Sequence, residues 1–364
     1  MSRRIVFYVS GHGFGHASRT GQVIQALKDR APDTEILVRS SAPEWFLREQ
    51  AGDAFRYEFF EADTGVLQAD SLTILYRETL EAARGFLSEM PQKIAGEKEF
   101  LLKIGAAAVF GDIPPLAFGA AHAAGLPSLG MTNFSWDWIY QPYTERFAGF
   151  EGLIEDIRAE YRKTGLLLRL PFSGGLDAFP RQEEIPLVAR PSRLSRARAR
   201  RALGLDEKKP VALLSFGGFS LSGEYYRRMG EDREIAWTAS ERVGAQAPGI
   251  RNFSRRELAE RGLAYPDLVR AAEVVVTKPG YGILSECIAN RTRMLYTERG
   301  DFREYPVLVA GAERTIPCRF ISGDVLRGDA LSREVRLLLE QPAKFAEVPL
   351  DGAAVAARRV LDLL

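Results

Sequence analysis

The feature that most constrains this chain is a repeated alternation. Apolar runs of four or five residues are separated by longer stretches of helical period, through most of the sequence. In the first half the runs fall at 5–9, 35–38, 57–60, 107–110 and 128–131. Helical stretches lie between and after them, at 20–30, 44–49, 72–104, 117–124 and 147–164, the long one broken near Pro91. Apolar runs that short, with helical segments between them, are the pattern of a parallel sheet covered on both faces. The first half therefore reads as a doubly wound α/β unit, in which ligands gather at the carboxyl ends of the strands.

Residues 166–186 interrupt the pattern. They are rich in proline and glycine, have no clear period, and read as a crossover. The series then restarts with apolar runs at 211–215, 235–239, 250–253, 273–277 and 293–296. Helices are expected at 265–272, 283–290, 331–339 and 353–364, with another beginning at 306–311. A chain of 364 residues suits two such units better than one core. The expected division is 1–185, 186–348 and a last helix, 349–364. Apolar content of 46% and charged content of 27% are ordinary for a globular enzyme. A net charge of +1 gives no general attraction to nucleic acid. No apolar run approaches the ~18 residues a membrane span needs. An opening directly on a strand is not the pattern of a signal peptide. Cys287 and Cys318 are too few for a disulfide framework and read as buried thiols. A cytoplasmic protein is the expectation. The arginine-dense stretch 192–202, with Ser195 as cap, reads as a solvated basic helix. A phosphate-binding or peripheral membrane-contact patch is the lesser reading.

Chemistry concentrates in the loops after the strands. Residues 11–19 read GHGFGHASR and hold two of the chain's three histidines, His12 and His16. Gly11, Gly13 and Gly15 allow a sharp turn and a close approach of backbone to ligand. A helix start just beyond them favours an anion. His16 is the candidate general base, with His12 as the alternative base or a phosphate contact. Asp112, after the fourth strand, is placed to orient the base. Asn133, Trp136 and Asp137, after the fifth, mix aromatic and polar groups as ligand pockets do. In the second half, residues 278–286 read KPGYGILSE, a strand running into a Gly280-Tyr281-Gly282 turn that opens a helix. Free N–H groups there accept a diphosphate. Glu286, expected in the first turn of that helix, suits the hydroxyls of a ribose. Gly217 and Gly218 offer a second close approach to phosphates. Glu304 and Tyr305 are candidates for sugar hydroxyls.

Together GHGFGHASR, DTGVLQADSLT, FGDIPP, TNFSWDWIY and KPGYGILSE resemble the glycosyltransferase-like N-terminal part of plant L-arabinokinases. PLVARPSRLSRARARRALGL and DGAAVAARRVL extend the resemblance over nearly the whole chain. More distantly, the two glycine-rich loops are similar to the lipid-linked peptidoglycan glycosyltransferase MurG. The resemblance implies the glycosyltransferase B fold, two Rossmann-like domains facing a cleft, with the final helix crossing back to the first. It implies a nucleotide-diphosphate sugar donor, a uridine-diphosphate sugar favoured, and an unknown hydroxyl acceptor held by the first domain. Gly13, Gly15, Gly217, Gly218, Gly280, Tyr281 and Gly282 would then hold the donor, with Glu286 on the ribose and Glu304 on the sugar. His16 would deprotonate the acceptor, and Lys278 would stabilise the leaving diphosphate. His12, Arg19, Asn133, Trp136 and Asp137 would bind the acceptor or support the base. No metal and no cofactor are implied. The chain carries no GxxxxGK[ST] loop, so the kinase activity in the family's name is not implied.

Other readings compete. The first loop is G-x-G-x-G, not the G-x-G-x-x-G of nicotinamide enzymes, and the second strand ends in Arg39-Ser40-Ser41 without an acid. Arg39 keeps a 2′-phosphate contact open. A nucleotide-sugar hydrolase or epimerase, or a non-catalytic nucleotide-sugar-binding module, fits the same fold.

Overall fold

The computed structural model describes residues 4–69, 73–216, 229, 232–240 and 249–364. Gly217 and Gly218 lie outside the described residues. Two parallel sheets organise the chain. The first contains β1 (Arg4–Val9), β2 (Glu35–Ser40), β3 (Arg56–Phe59), β4 (Ala106–Asp112), β5 (Ser128–Thr132), β6 (Leu166–Arg169) and β7 (Gln182–Glu184). Their order is β3-β2-β1-β4-β5-β6-β7. The second contains β8 (Val211–Ser215), β9 (Ala236–Ala239), β10 (Arg251–Asn252), β11 (Val274–Thr277), β12 (Arg293–Tyr296) and β13 (Cys318–Phe320), in the order β10-β9-β8-β11-β12-β13. The central strands are buried on both faces, Ile5–Val9 and Val274–Val276 completely, which is why they read as continuous apolar runs.

Each sheet reverses direction once, between β1 and β4 in the first and between β8 and β11 in the second. The carboxyl ends at a reversal leave a crevice between diverging loops. The residues that follow β1, β5, β8 and β11 all line one cleft between the domains. The two units are the expected doubly wound domains. Among the described residues, no helix is long and apolar enough to cross a membrane.

Several boundaries differ from the sequence reading. The stretch 166–186, expected as an irregular crossover, contributes β6 and β7 to the first sheet. Strands of four and three residues separated by Pro171, Gly174 and Gly175 are too short to show a period. Helix 20–30 begins five residues early, at Gly15 (Gly15–Arg30), and helix 283–290 begins at Tyr281 (Tyr281–Asn290). Glycine's low propensity hides these first turns, and packing at the domain interface overrides it. Helix 147–164 is only Leu153–Tyr161, because Gly149 and Gly152 hold φ of 90° and 86°. The arginine-dense helix, Arg196–Leu203, is capped by Ser195 but is not simply solvated. Arg196 donates to the carbonyls of Arg270 and Arg291, and buried Arg200 donates to the Ala271 carbonyl and pairs with Glu273.

The chain crosses between domains twice. Leu187 N–H donates to the Pro349 carbonyl at 3.0 Å, and Val188 bridges Asp351 antiparallel. Helix Gly352–Leu361 then packs along helix Gly15–Arg30, burying Ala356, Ala357 and Val360 in a core shared with Val23 and Ile24. Gly352 has no room for a side chain: a Cβ there would lie 2.1 Å from the Pro186 carbonyl oxygen. Gly352→Val should therefore destabilise the fold by about 1–3 kcal/mol, read as a lower denaturant midpoint at unchanged m-value. An unchanged midpoint would show that the crossing strands yield freely.

Candidate functional site

The cleft holds about 1040 Å³ and is walled by both domains. Two helices aim their N-termini into it. Helix Gly15–Arg30 starts after Phe14 and helix Tyr281–Asn290 after Gly280; neither has a side-chain cap and neither carries an acid in its first turn. They nearly touch, since a Cβ on Gly282 would sit 3.8 Å from Gly15 Cα. Uncapped first turns leave N–H donors without helical partners and a partial positive charge at each end. Gly13, at φ 66°, Lys278 and Gly280 complete this wall.

Beside it lies a buried polar network. Asp112, ending β4, is fully buried and accepts from every direction. Arg19 Nε donates to Oδ2 at 2.7 Å and its Nη2 to Oδ1 at 2.5 Å. Thr20 Oγ1 donates to Oδ2 at 3.0 Å, and His16 Nδ1 lies 2.8 Å from Oδ1. Burial would push the Asp112 carboxyl up, but the Arg19 charge, the electrostatic influence of His16 and the hydrogen bonds from both outweigh it and hold it at about 2. Arg19 Nη2 also lies 2.9 Å from His16 Nδ1, so that ring nitrogen is anchored between the Asp112 carboxylate and the guanidinium, and Nε2 makes neither contact. Burial alone would also lower the Arg19 pKa, yet Asp112 keeps it above the ordinary value.

Arg19 extends the network. Its Nη1 donates to Asn133 Oδ1 at 2.6 Å, and Asn133 Nδ2 donates across the cleft to Glu304 Oε1 at 2.6 Å. Glu304 begins helix Glu304–Thr315, and its Oε2 accepts from Arg299 at 2.9 Å. Phe302, from the same second-domain loop, is buried among His12, Phe134 and the Trp136 cluster of the first domain.

His12 is held apart from His16. The Val66 N–H donates to its Nδ1 at 3.2 Å, so Nε2 carries the proton. Its ring stacks on Phe302 at 6.1 Å and meets Trp136 edge-on at 5.4 Å. Burial first, then the electrostatic influence of His16, Arg299 and Lys278, hold its pKa down at about 3. Trp136 Nε1 donates to Asp63 Oδ2 at 2.8 Å, and Ser10 Oγ donates to Asp63 Oδ1 at 3.0 Å.

The structure thus brings His12, Gly13, Gly15, His16, Arg19, Asn133, Lys278, Gly280, Tyr281, Gly282, Glu286 and Glu304 to one cleft. Asp112 and Trp136 stand directly behind His16, Arg19 and Asp63. Asp137 does not join them: it is buried against Arg158 at 2.8 Å. Adjacent helical residues point about 100° apart, so Trp136 and Asp137 face different surroundings. Glu286 lies in the second turn of its helix, not the first. Its Oε1 accepts from Arg190 at 2.6 Å, while Oε2 is buried without a hydrogen-bond partner. Burial raises the pKa of this carboxyl despite Arg190. Arg39 is unavailable to a 2′-phosphate: its guanidinium is sandwiched 4.1 Å from both Phe60 and Phe100 and paired with Glu58 and Glu97. Asp63, Arg190, Arg299 and Phe302 were not singled out in the sequence. Asp63 had one signal, its place at the head of the DTGVLQADSLT segment.

No family profile matches the chain. It is 31% identical over 319 residues to the L-arabinokinase of Arabidopsis thaliana, covering 84% of this chain. It spans only 29% of that relative's length. Among solved structures, the calicheamicin glycosyltransferase CalG4 superposes with a TM-score of 0.63 at 14% identity, over 100% of this chain and 95% of that one. Arabidopsis thaliana UGT89C1 complexed with UDP gives 0.59 at 13%, over 100% and 94%. The glycosyltransferase VinC in complex with dTDP gives 0.53 at 14%, over 99% and 94%. The resemblance to L-arabinokinase holds, and the fold is the two-domain glycosyltransferase B architecture.

His12 yields a pH signature. Unfolded, it protonates near 6.5; folded, only near 3. Its contribution to stability is complete above pH 6.5 and is lost as pH falls toward 3, because the unfolded chain takes up the proton first. In His12→Asn, whose Oδ1 can replace Nδ1 as acceptor, this loss should disappear. The wild-type slope should exceed the variant's by up to about 1.4 kcal/mol per pH unit between pH 6 and 4. Equal slopes in denaturation at several pH values would place His12 in solvent.

Proposed function

We propose that the cleft binds a nucleoside-diphosphate sugar and transfers the sugar to a hydroxyl acceptor. One observation carries this reading: two uncapped helix N-termini converge where His16, the second residue of one of those helices, presents an Asp112-oriented base. The converging N–H groups and Lys278 suit the two phosphates. The unpartnered Oε2 of Glu286 suits a ribose hydroxyl, and Glu304 suits the sugar. Relatives of the same fold, solved with UDP and dTDP, support a pyrimidine donor, of which we favour uridine.

The step is a single displacement. The acceptor oxygen attacks the anomeric carbon while its proton passes to His16 Nε2. The bond from that carbon to the diphosphate oxygen breaks, and the leaving diphosphate keeps the electron pair beside the helix ends. Asp112 remains a carboxylate and balances the imidazolium. The configuration inverts, and the step needs no metal. The kinase activity named in L-arabinokinase is not part of this reading, since the shared stretch is less than a third of that protein.

Thermal shift against uridine, guanosine, thymidine and adenosine diphosphate sugars tests the donor, with NADP and ATP as controls. At a ligand concentration about 100 times the dissociation constant, one class should add about 2.7 kcal/mol of apparent stability. A shift only with NADP or ATP overturns the reading. His16→Ala should keep the donor shift and lose turnover by about 10²–10⁴-fold; full turnover in that variant removes the base assignment. Glu286→Ala should weaken nucleoside diphosphate binding by about 1.5–3 kcal/mol, the range of a charged hydrogen bond.

A further inference from the structure

We infer that the first-domain wall of the cleft, built around Asp63, receives a neutral polyhydroxyl acceptor, a saccharide, and that Asp63 fixes its hydroxyls. This rests on the transfer reading for its chemistry but on separate residues for its evidence. The wall consists of His12, Glu61, Asp63, Thr64, Gln68 and Phe86. Asp63 is held by two neutral donors, Ser10 Oγ on one oxygen and the Trp136 indole on the other. Among the described residues no basic side chain forms an ion pair with it, and burial raises its pKa against the Trp136 hydrogen bond, nearby His16 and the Ser10 hydrogen bond. A carboxylate oxygen accepts more than one hydrogen bond, so each keeps capacity for a ligand hydroxyl. A carboxylate placed in a cleft without a cation is costly unless something donates to it.

The neighbours of Asp63 supply the complementary half. With Nδ1 of His12 occupied by the Val66 N–H, Nε2–H is a donor that stays neutral at physiological pH. Thr64 and Gln68 add one hydroxyl and one amide, and Phe86 an aromatic surface. Donors, acceptors and rings without net positive charge are the means of holding sugar hydroxyls. An anionic acceptor meets the reverse. The arginines that border the cleft are committed elsewhere: Arg19 to Asp112, Arg299 to Glu304, Arg190 to Glu286 and Arg255 to Glu49. A phosphate placed on this wall would face Asp63 and Glu61.

The test uses saturation-transfer NMR on the full chain. The probes are methyl β-glucopyranoside, methyl β-galactopyranoside and methyl α-arabinopyranoside, with glucose 6-phosphate and galactose 1-phosphate as charged counterparts. Wild type should saturate at least one neutral glycoside and neither phosphate. Asp63→Asn should reduce that signal at least fivefold, and the rim variant Glu61→Gln should reduce it about twofold or more. Both should keep the melting temperature shift given by uridine diphosphate. If Asp63→Asn does not fold, Glu61→Gln and Gln68→Ala decide in its place. The inference is overturned if no neutral glycoside is saturated, if a sugar phosphate is saturated as strongly, or if the glycoside signal survives the substitutions. If uridine diphosphate gives no shift in wild type while the glycoside signal appears and depends on Asp63, the donor reading falls and this site stands.

Discussion

The buried pair between Arg19 and Asp112 is the interaction on which the rest of the site depends. Both groups are almost wholly out of solvent, so each is tolerable only because the other is there. Their fork-like double hydrogen bond fixes the rotation of helix Gly15–Arg30 against the end of β4. That rotation in turn places His16 one turn away on the same side, where it shares the carboxylate. The remaining guanidinium nitrogen orients Asn133, and Asn133 reaches Glu304 in the other domain. One ion pair thus fixes the position of the His16 ring and the seat of a second-domain carboxylate together. Removing either partner alone would leave an uncompensated buried charge, with a cost of about 3–5 kcal/mol.

Two positive helix ends facing one another are unfavourable by themselves. The nearby acids do not offset them, since Asp112, Glu286 and Glu304 are paired with Arg19, Arg190 and Arg299. The partial positive charge of the two helix ends therefore persists, the condition under which such ends favour an anion. The geometry separates two tasks that a looser site would mix. Side-chain charges neutralise one another in pairs, while backbone donors remain at the point of convergence.

Much of this was legible along the chain, because strands buried on both faces announce themselves as apolar runs and glycines mark the loops that follow them. The pairing of His16 with Asp112 was legible as an expectation, since both follow strands that adjoin at a sheet reversal. What local pattern could not show is partnership over long separations. Glu286 is tied to Arg190, which lies between the stretch without a period and the arginine-dense helix, outside every expected element. Asp63 takes its meaning from Ser10 and Trp136, which are distant in sequence. Asp137 parts from its neighbours for the opposite reason: proximity in sequence to Asn133 and Trp136 does not survive the angular step of a helix, and it faces Arg158 instead. Arg39, open to a phosphate by its position near the end of β2, is closed to one by two phenyl rings that come from Phe60 and Phe100.

The double crossing between the domains has a mechanical consequence. A single connecting strand would let one domain swivel about it freely. Here the outgoing strand at Leu187 and Val188 and the returning one at Pro349 and Asp351 lie side by side and are bridged. Such a pair bends readily about a line drawn across both strands but resists torsion and shear. Relative motion is reduced toward one rotational degree of freedom. The Gly280–Gly282 turn and His16 can then separate only along an arc, and each return brings them back to the same alignment.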